Sequence, residues 1–227
     1  MIMKSIYYLF FGGGSFGVIM MLSYLTYHYD GRRSEKGGET KKWTGIDLLC
    51  AAASCLGMAV MFKDPIGCFL NGAYGGERFW ICAAAAGFFS GSLYFACMTD
   101  IYLHEAYDIC WYVNALAAMM IWIVTPPNIV QLSGIGLFFL IQEIIFAKLY
   151  GKADCHAFCT CAMFGSGFGM EAENYFRHMV LSYIFLIVHQ FWSRNIGKNG
   201  RLKVPVPFLP YITIAFFVNI LQLPGQF

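Results

Sequence analysis

Apolar stretches of sixteen to twenty-three residues alternate with short polar segments along the whole chain, at 5–27, 46–62, 79–99, 109–125, 128–147, 155–170, 175–193 and 205–222. A helix needs about 20 mostly apolar residues to cross a bilayer. The pattern predicts an all-α, polytopic integral membrane protein with about eight transmembrane helices, one membrane-embedded domain over residues 1–227. The second and sixth stretches are short and the sixth is glycine-rich, so these two are expected to be tilted, partly re-entrant or enclosed by neighbours. Lys4 precedes an apolar run from Ile6 to about Tyr27 with no small-x-small cleavage site after it. This run is longer than a signal-peptide core of about 7 to 15 residues, and it reads as a retained first helix.

Composition agrees: 59% of residues are hydrophobic, 12% are charged and the mean hydropathy is +0.58, whereas soluble domains carry about 25% charged residues. A net charge of +2, with the basic residues clustered between apolar stretches, gives no reason to expect a nucleic-acid partner. The basic residues speak about topology instead. If the first polar segment is cytoplasmic, strict alternation puts Arg32, Arg33, Lys36, Lys41, Lys42, Lys148, Lys152, Arg194, Lys198, Arg201 and Lys203 on that side, 11 of the 15 basic residues. This is the positive-inside pattern, with both termini outside.

Nine cysteines are present, most of them within apolar stretches. Buried cysteine behaves as a small hydrophobe, and an odd, scattered count is not a disulfide framework, so free thiols are expected. Cys155, Cys159 and Cys161 with His156 lack the spaced partner pair of a metal site. Neither metal nor cofactor is expected.

The same alternation brings two carboxyls together. Asp100 ends the third stretch and Asp154 precedes the sixth, so both fall at the cytoplasmic edge although 54 residues separate them. Ionisable residues at the border of the hydrocarbon face a bundle interior or a wet cavity and are functional candidates. Two adjacent carboxyls share a proton, one acting as acid and the other as base, which equips them to activate water against a peptide carbonyl. Helix polarity predicts Asp154, at a helix start, as the ionised base and Asp100, near a helix end, as the protonated acid. The plainer alternative is that each aspartate caps a helix or pairs with a neighbour such as Lys152.

Three separated segments carry a resemblance. "MTDIYLHEAYD" around Asp100, "LYGKADCHAF" around Asp154 and "VPVPFLPYITIAFF" near the C-terminus resemble the type IV prepilin peptidases, membrane aspartyl proteases of the GxGD kind. Asp100 and Asp154 take the places of the two catalytic aspartates. Gly151, Lys152, Ala153 and Asp154 stand where the family has GxGD, and Pro207, Phe208, Leu209 and Pro210 where it has Pro-Phe-x-Pro. The resemblance runs from about residue 79 to the end and leaves the N-terminal helices, 1–78, less defined. Two departures mark a divergent branch: Ala153 replaces the second glycine, and Ala106, Tyr107 and Asp108 replace the isoleucine-proline-asparagine after the first aspartate.

The resemblance implies an endopeptidase in the inner membrane of a prokaryote that removes the basic leader of a prepilin-like or pseudopilin-like helix on the cytoplasmic side. No paired CxxC motif for a methyltransferase portion is present, which implies cleavage without N-methylation. Glu105 and Asp108 make the first catalytic segment acidic, and they are candidates for attracting the leader's basic residues. A small ion- or proton-coupled transporter, or a noncatalytic membrane subunit using the same aspartates, is the alternative; transport carboxylates usually lie near mid-membrane.

Other signals have plainer readings. "MFGSGFG", Met163–Gly169, resembles the GxSG of rhomboid proteases, with His178 or His189 as a possible base for Ser166, but small residues also serve close helix packing. Glu143 is expected to pair with Lys148 or to snorkel. Asp47 is expected to cap the second stretch.

Overall fold

The structure, a computed structural model, describes residues 2–34, 49, 51–60, 76–196 and 206–222. Among these the chain forms helices and no strand, in the order α1 (Ile2–Ser34), α2 (Ala51–Val60), α3 (Glu77–Leu103), α4 (Asp108–Val124), α5 (Ile129–Ile144), α6 (Lys152–Ser166), α7 (Ala172–Ile196) and α8 (Leu209–Leu221). A 3₁₀ turn, Phe146–Lys148, follows α5. Among the described residues three segments are long and apolar enough to cross a membrane: Ile6–Leu25 in α1, all of α3, and Ile129–Lys148. The connections are short, so α3 to α6 run alternately up and down.

Helix α3 is the axis of the bundle because each of its faces meets a different partner. Toward α1, Gly91 lies so close to the Ser15 backbone that a Cβ would collide with its carbonyl oxygen. Toward α4, Ser92 Oγ donates to Cys110 O at 2.9 Å. Phe89 stacks on Phe164 of α6 with centroids 4.0 Å apart, and Cys97 Sγ lies 3.1 Å from Thr213 Oγ1 of α8. In lipid, where apolar surface gains nothing by leaving the solvent, this kind of close contact and interhelical bonding holds helices together.

Helix α6 is enclosed as expected. Ten of its fifteen residues are buried, and at 1.5 Å per residue it is only about 22 Å long, short of a full crossing of about 30 Å. Helices α5 and α7 lie outside it. Leu137, Leu140 and Ile144 of α5, with Val180, Ile187 and Phe191 of α7, are exposed, an outward apolar surface suited to lipid. The seven described cysteines are buried free thiols.

Three boundaries differ from the apolar pattern. Helix α1 continues through the polar residues to Ser34. Helix α3 runs three residues past Asp100 to Leu103, where His104 adopts a left-handed conformation (φ 53°) and returns its N–H to Asp100 O at 3.1 Å. Helix α6 begins at Lys152, so Asp154 is its third residue. Asp47 and the basic segments 35–48 and 197–205 lie outside the described residues.

Candidate functional site

Up-and-down order brings the end of α3, the start of α6 and the start of α8 to one end of the bundle. Asp100 and the Pro207–Pro210 element meet there directly. Asp100 Oδ2 accepts the Leu209 N–H at 3.0 Å, and the Phe208 N–H faces the same carboxyl. The two prolines explain the element. A helix start leaves its first N–H groups without intrahelical acceptors. Pro207 and Pro210 have no N–H, and Pro210 sits at the second helical position, where proline's fixed φ suits a helix start. The two donors left between them both turn to Asp100.

Asp154 is held differently. Its helix starts at Gly151, whose φ of 109° and ψ of 155° are open to glycine and strained for any other residue. Ala153, one residue before the aspartate, is in regular helix and needs no such freedom. That is why residue 151 is a glycine and an alanine fits at 153. The Asp154 carboxyl is partly buried and, among the described residues, forms no hydrogen bond or ion pair; Lys152 is exposed and does not pair with it. The carboxyls of Asp154 and Asp100 are near enough for their charges to act on one another.

Aromatic rings surround the start of α6. Tyr150 lies with its centroid 6.0 Å from each of Phe158, Tyr183 and Phe208, and Tyr183 is 5.2 Å from Phe208. Tyr183 also lies within electrostatic reach of Asp154. The Tyr150 hydroxyl donates to Gln142 Oε1 of α5. Gln142, Tyr150 and Tyr183 were not legible as site residues, because an aromatic residue beside a motif is unremarkable in a chain that is 18% aromatic. The buried glutamine on a lipid-facing helix was the one available signal.

Glu105 and Asp108 are exposed on and after the α3–α4 connection at the same end, with Asp108 in the first turn of α4. Glu143 pairs with His156, Oε1 to Nε2 at 3.1 Å, and not with Lys148. The partner comes from α6, which spacing along α5 could not reveal. Among the described residues no group of three or more His, Cys, Asp or Glu side chains converges as a metal cage.

The serine and histidines of the alternative site are engaged elsewhere. Ser166 Oγ donates to Met163 O at 2.7 Å and accepts from Trp122 Nε1 at 3.0 Å. His178 Nε2 faces Ile212 O at 2.8 Å, and His189 Nδ1 faces the Tyr211 hydroxyl at 2.7 Å. Among the described residues Ser166 pairs with neither histidine, and it lies at the opposite end from the aspartates.

One end of the bundle thus holds two carboxyls, one bonded by backbone donors and one with a free hydrogen-bonding surface, which suits the sharing of a proton and the polarising of a water. Comparison with protein-family models, curated proteins and solved structures gave no match.

Proposed function

We propose that the chain is an aspartic endopeptidase of the membrane edge, related in mechanism to the GxGD prepilin peptidases, with about eight spans and both termini outside. It removes the basic leader of a prepilin-like helix on the cytoplasmic side of a prokaryotic inner membrane and does not methylate the product. The observation that carries this reading is the bond from Leu209 N–H to Asp100, with Asp154 within electrostatic reach. Three segments that resemble one family's motifs in sequence are also neighbours in space. An edge location suits hydrolysis better than transport, because a scissile bond behind a basic leader comes to rest at the cytoplasmic border.

The bonding reverses the division of roles expected from helix polarity. A hydrogen bond to a charged group contributes roughly 1.5 to 3 kcal/mol, against about 0.3 to 1 kcal/mol for the dipole at a helix start. The Leu209 donor therefore favours Asp100 as the ionised base that takes a proton from water. Asp154, without a donor, is the acid that protonates the carbonyl oxygen; as the resulting gem-diol collapses, Asp100 passes the proton it took from water to the leaving amine and Asp154 recovers its own from the gem-diol. Because α3 continues to Leu103, Asp100 sits at the inner edge of the last turn, where the unfavourable helix-end field is weaker than at the terminus itself.

Purified protein in bilayers, given a prepilin-like substrate with a basic leader and a glycine before the cut, tests this. Cleavage is expected, and Asp100→Asn and Asp154→Asn should each abolish it. Full activity in either variant overturns the proposal.

A further inference from the structure

We propose that Tyr150 is a positioning residue of this site: tied by its hydroxyl to Gln142 and held by its ring among Phe146, Phe158, Tyr183 and Phe208, it sets the direction in which α6 leaves Gly151, and thereby the approach of Asp154 to Asp100. The inference rests on the proposed function for its catalytic readout. It stands on geometry that the two-aspartate reading does not use.

Tyr150 immediately precedes the one residue of the motif at positive φ, Gly151. A swivel at that point needs a stop on its fixed side. Tyr150 supplies it by touching five elements at once. Its hydroxyl reaches Gln142 on α5; its ring stacks on Phe146 of the 3₁₀ turn at 5.5 Å and meets Phe158 of α6, Tyr183 of α7 and Phe208, the N-terminal cap of α8. Phe208 belongs to the element whose N–H groups face Asp100. The ring therefore touches both aspartate supports, the start of α6 and the start of α8.

The tether has its own anchor. Gln142 is fully buried, its Nε2 lies 3.4 Å from Met179 Sδ, and its backbone carbonyl accepts from Cys155 Sγ at 3.3 Å. Residue 142 thus holds the chain on both sides of Asp154. Burial pushes the Tyr150 phenol far above its ordinary range, so it stays a donor at every working pH.

Tyr150→Phe keeps the ring and removes the tether, and Gln142→Leu removes the acceptor. Each is expected to lower kcat about tenfold with KM within twofold, because about 1 Å of misplacement costs up to a hundredfold. The bell-shaped pH–rate curve should narrow in both, since weaker coupling between two carboxyls brings their apparent pKa values together; mere loss of folded protein does not change that width. The double variant should lose little beyond either single one. Independently of activity, hydrogen exchange in the first turn of α6 should quicken several-fold while exchange at the Trp122–Ser166 end stays unchanged. Unaltered kcat, pH width and exchange in both single variants overturn the proposal. Retained cleavage in Asp154→Asn would remove the parent reading instead, with the exchange result still reporting on the tether.

Discussion

The two ends of this bundle treat their polar groups in opposite ways. At the end away from the aspartates, Trp122 Nε1 donates to Met163 O and Ser166 Oγ at 3.0 Å each, Thr125 Oγ1 donates to Gly167 O at 2.9 Å, Arg177 Nε donates to Asn219 Oδ1 at 2.6 Å, and Asn219 Nδ2 donates to Asn174 O at 2.8 Å. These bonds link α4 to α6 and α7 to α8. At the other end, Asp154 has neither donor nor counter-ion among the described residues, and Gly151 at the start of its helix holds a backbone conformation that is strained for any residue but glycine. An unpaired polar group at low dielectric is costly, and it persists where the surrounding structure over-determines it. One end ties helices together through side-chain bonds, although Arg177 Nη2 is left without a partner there; the other keeps one carboxyl, Asp154, open among bonded neighbours.

The largest test of this contrast compares Asp154→Asn with Ser166→Ala. The first should lower cleavage by about a thousandfold or more, the upper range for loss of a positioned acid or base, with no loss of thermal stability. The second should leave the rate per folded molecule within about twofold, since Ser166 only closes a hydrogen-bond set. A reversal of that order, measured as cleavage of one peptide by both variants, would hand the chemistry to the serine end.

Next in size is Gly151→Ala. Space is not the obstacle, because a Cβ there would lie 3.9 Å from Asp154 Oδ2, an ordinary contact. The backbone is. An alanine held at that φ and ψ costs about 2 kcal/mol, and relief by rotation would swing Asp154 away from Asp100. Cleavage should fall at least about tenfold, and denaturation should begin several degrees earlier. Ala153→Gly, which completes the GxGD pattern that the segment resembles, is expected to destabilise by at most about 1 kcal/mol and to leave the rate within about twofold. A rate gain of tenfold or more from Ala153→Gly would mean that the second glycine has a catalytic role that regular helix does not account for.

These residues also mark how far the sequence could be read. Asp100, Asp154 and the Pro207–Pro210 element were legible because charge and proline are rare in apolar stretches and each has a physical reason to sit at a helix end. The start of α6 was placed three residues late, since Lys152, Ala153 and Asp154 do not look apolar and an apolar pattern ends where polarity begins. Helix α1 outran its apolar stretch for the same reason, because backbone bonding continues through polar residues. The His156 partner of Glu143 and the Gln142 partner of Tyr150 were invisible. Both bonds join α5 to the segment that follows it, so they depend on how the helices pack and not on spacing within one helix.

A smaller effect belongs to the end away from the aspartates. Trp122→Phe removes a donor to both Met163 O and Ser166 Oγ while keeping most of the aromatic bulk. Interhelical bonds of this kind are worth about 0.6 kcal/mol each on average in a membrane, so a loss of about 1 kcal/mol is expected. It should appear as a lower midpoint of denaturation with unchanged kcat. A fall in kcat without a fall in midpoint would mean that the two ends are coupled and that the contrast between them is not a division of labour.

The smallest effect concerns Glu105 and Asp108, which are exposed and therefore screened. Neutralising either should raise KM for a basic leader by about twofold, in line with a contribution of 0.2 to 1 kcal/mol from an exposed charge pair, and salt near 1 M, where the Debye length is about 3 Å, should erase the difference. The two variants should part company in stability. Asp108 sits in the first turn of α4, where an acidic side chain contributes about 0.3 to 1 kcal/mol through the helix dipole, so Asp108→Asn should lower both stability and affinity. Glu105 belongs to no helix, and Glu105→Gln should change affinity alone. If reversing the leader's charge leaves KM unchanged in the parent protein and in both variants, these carboxylates are solvated rim and the attraction of the leader lies elsewhere at this end.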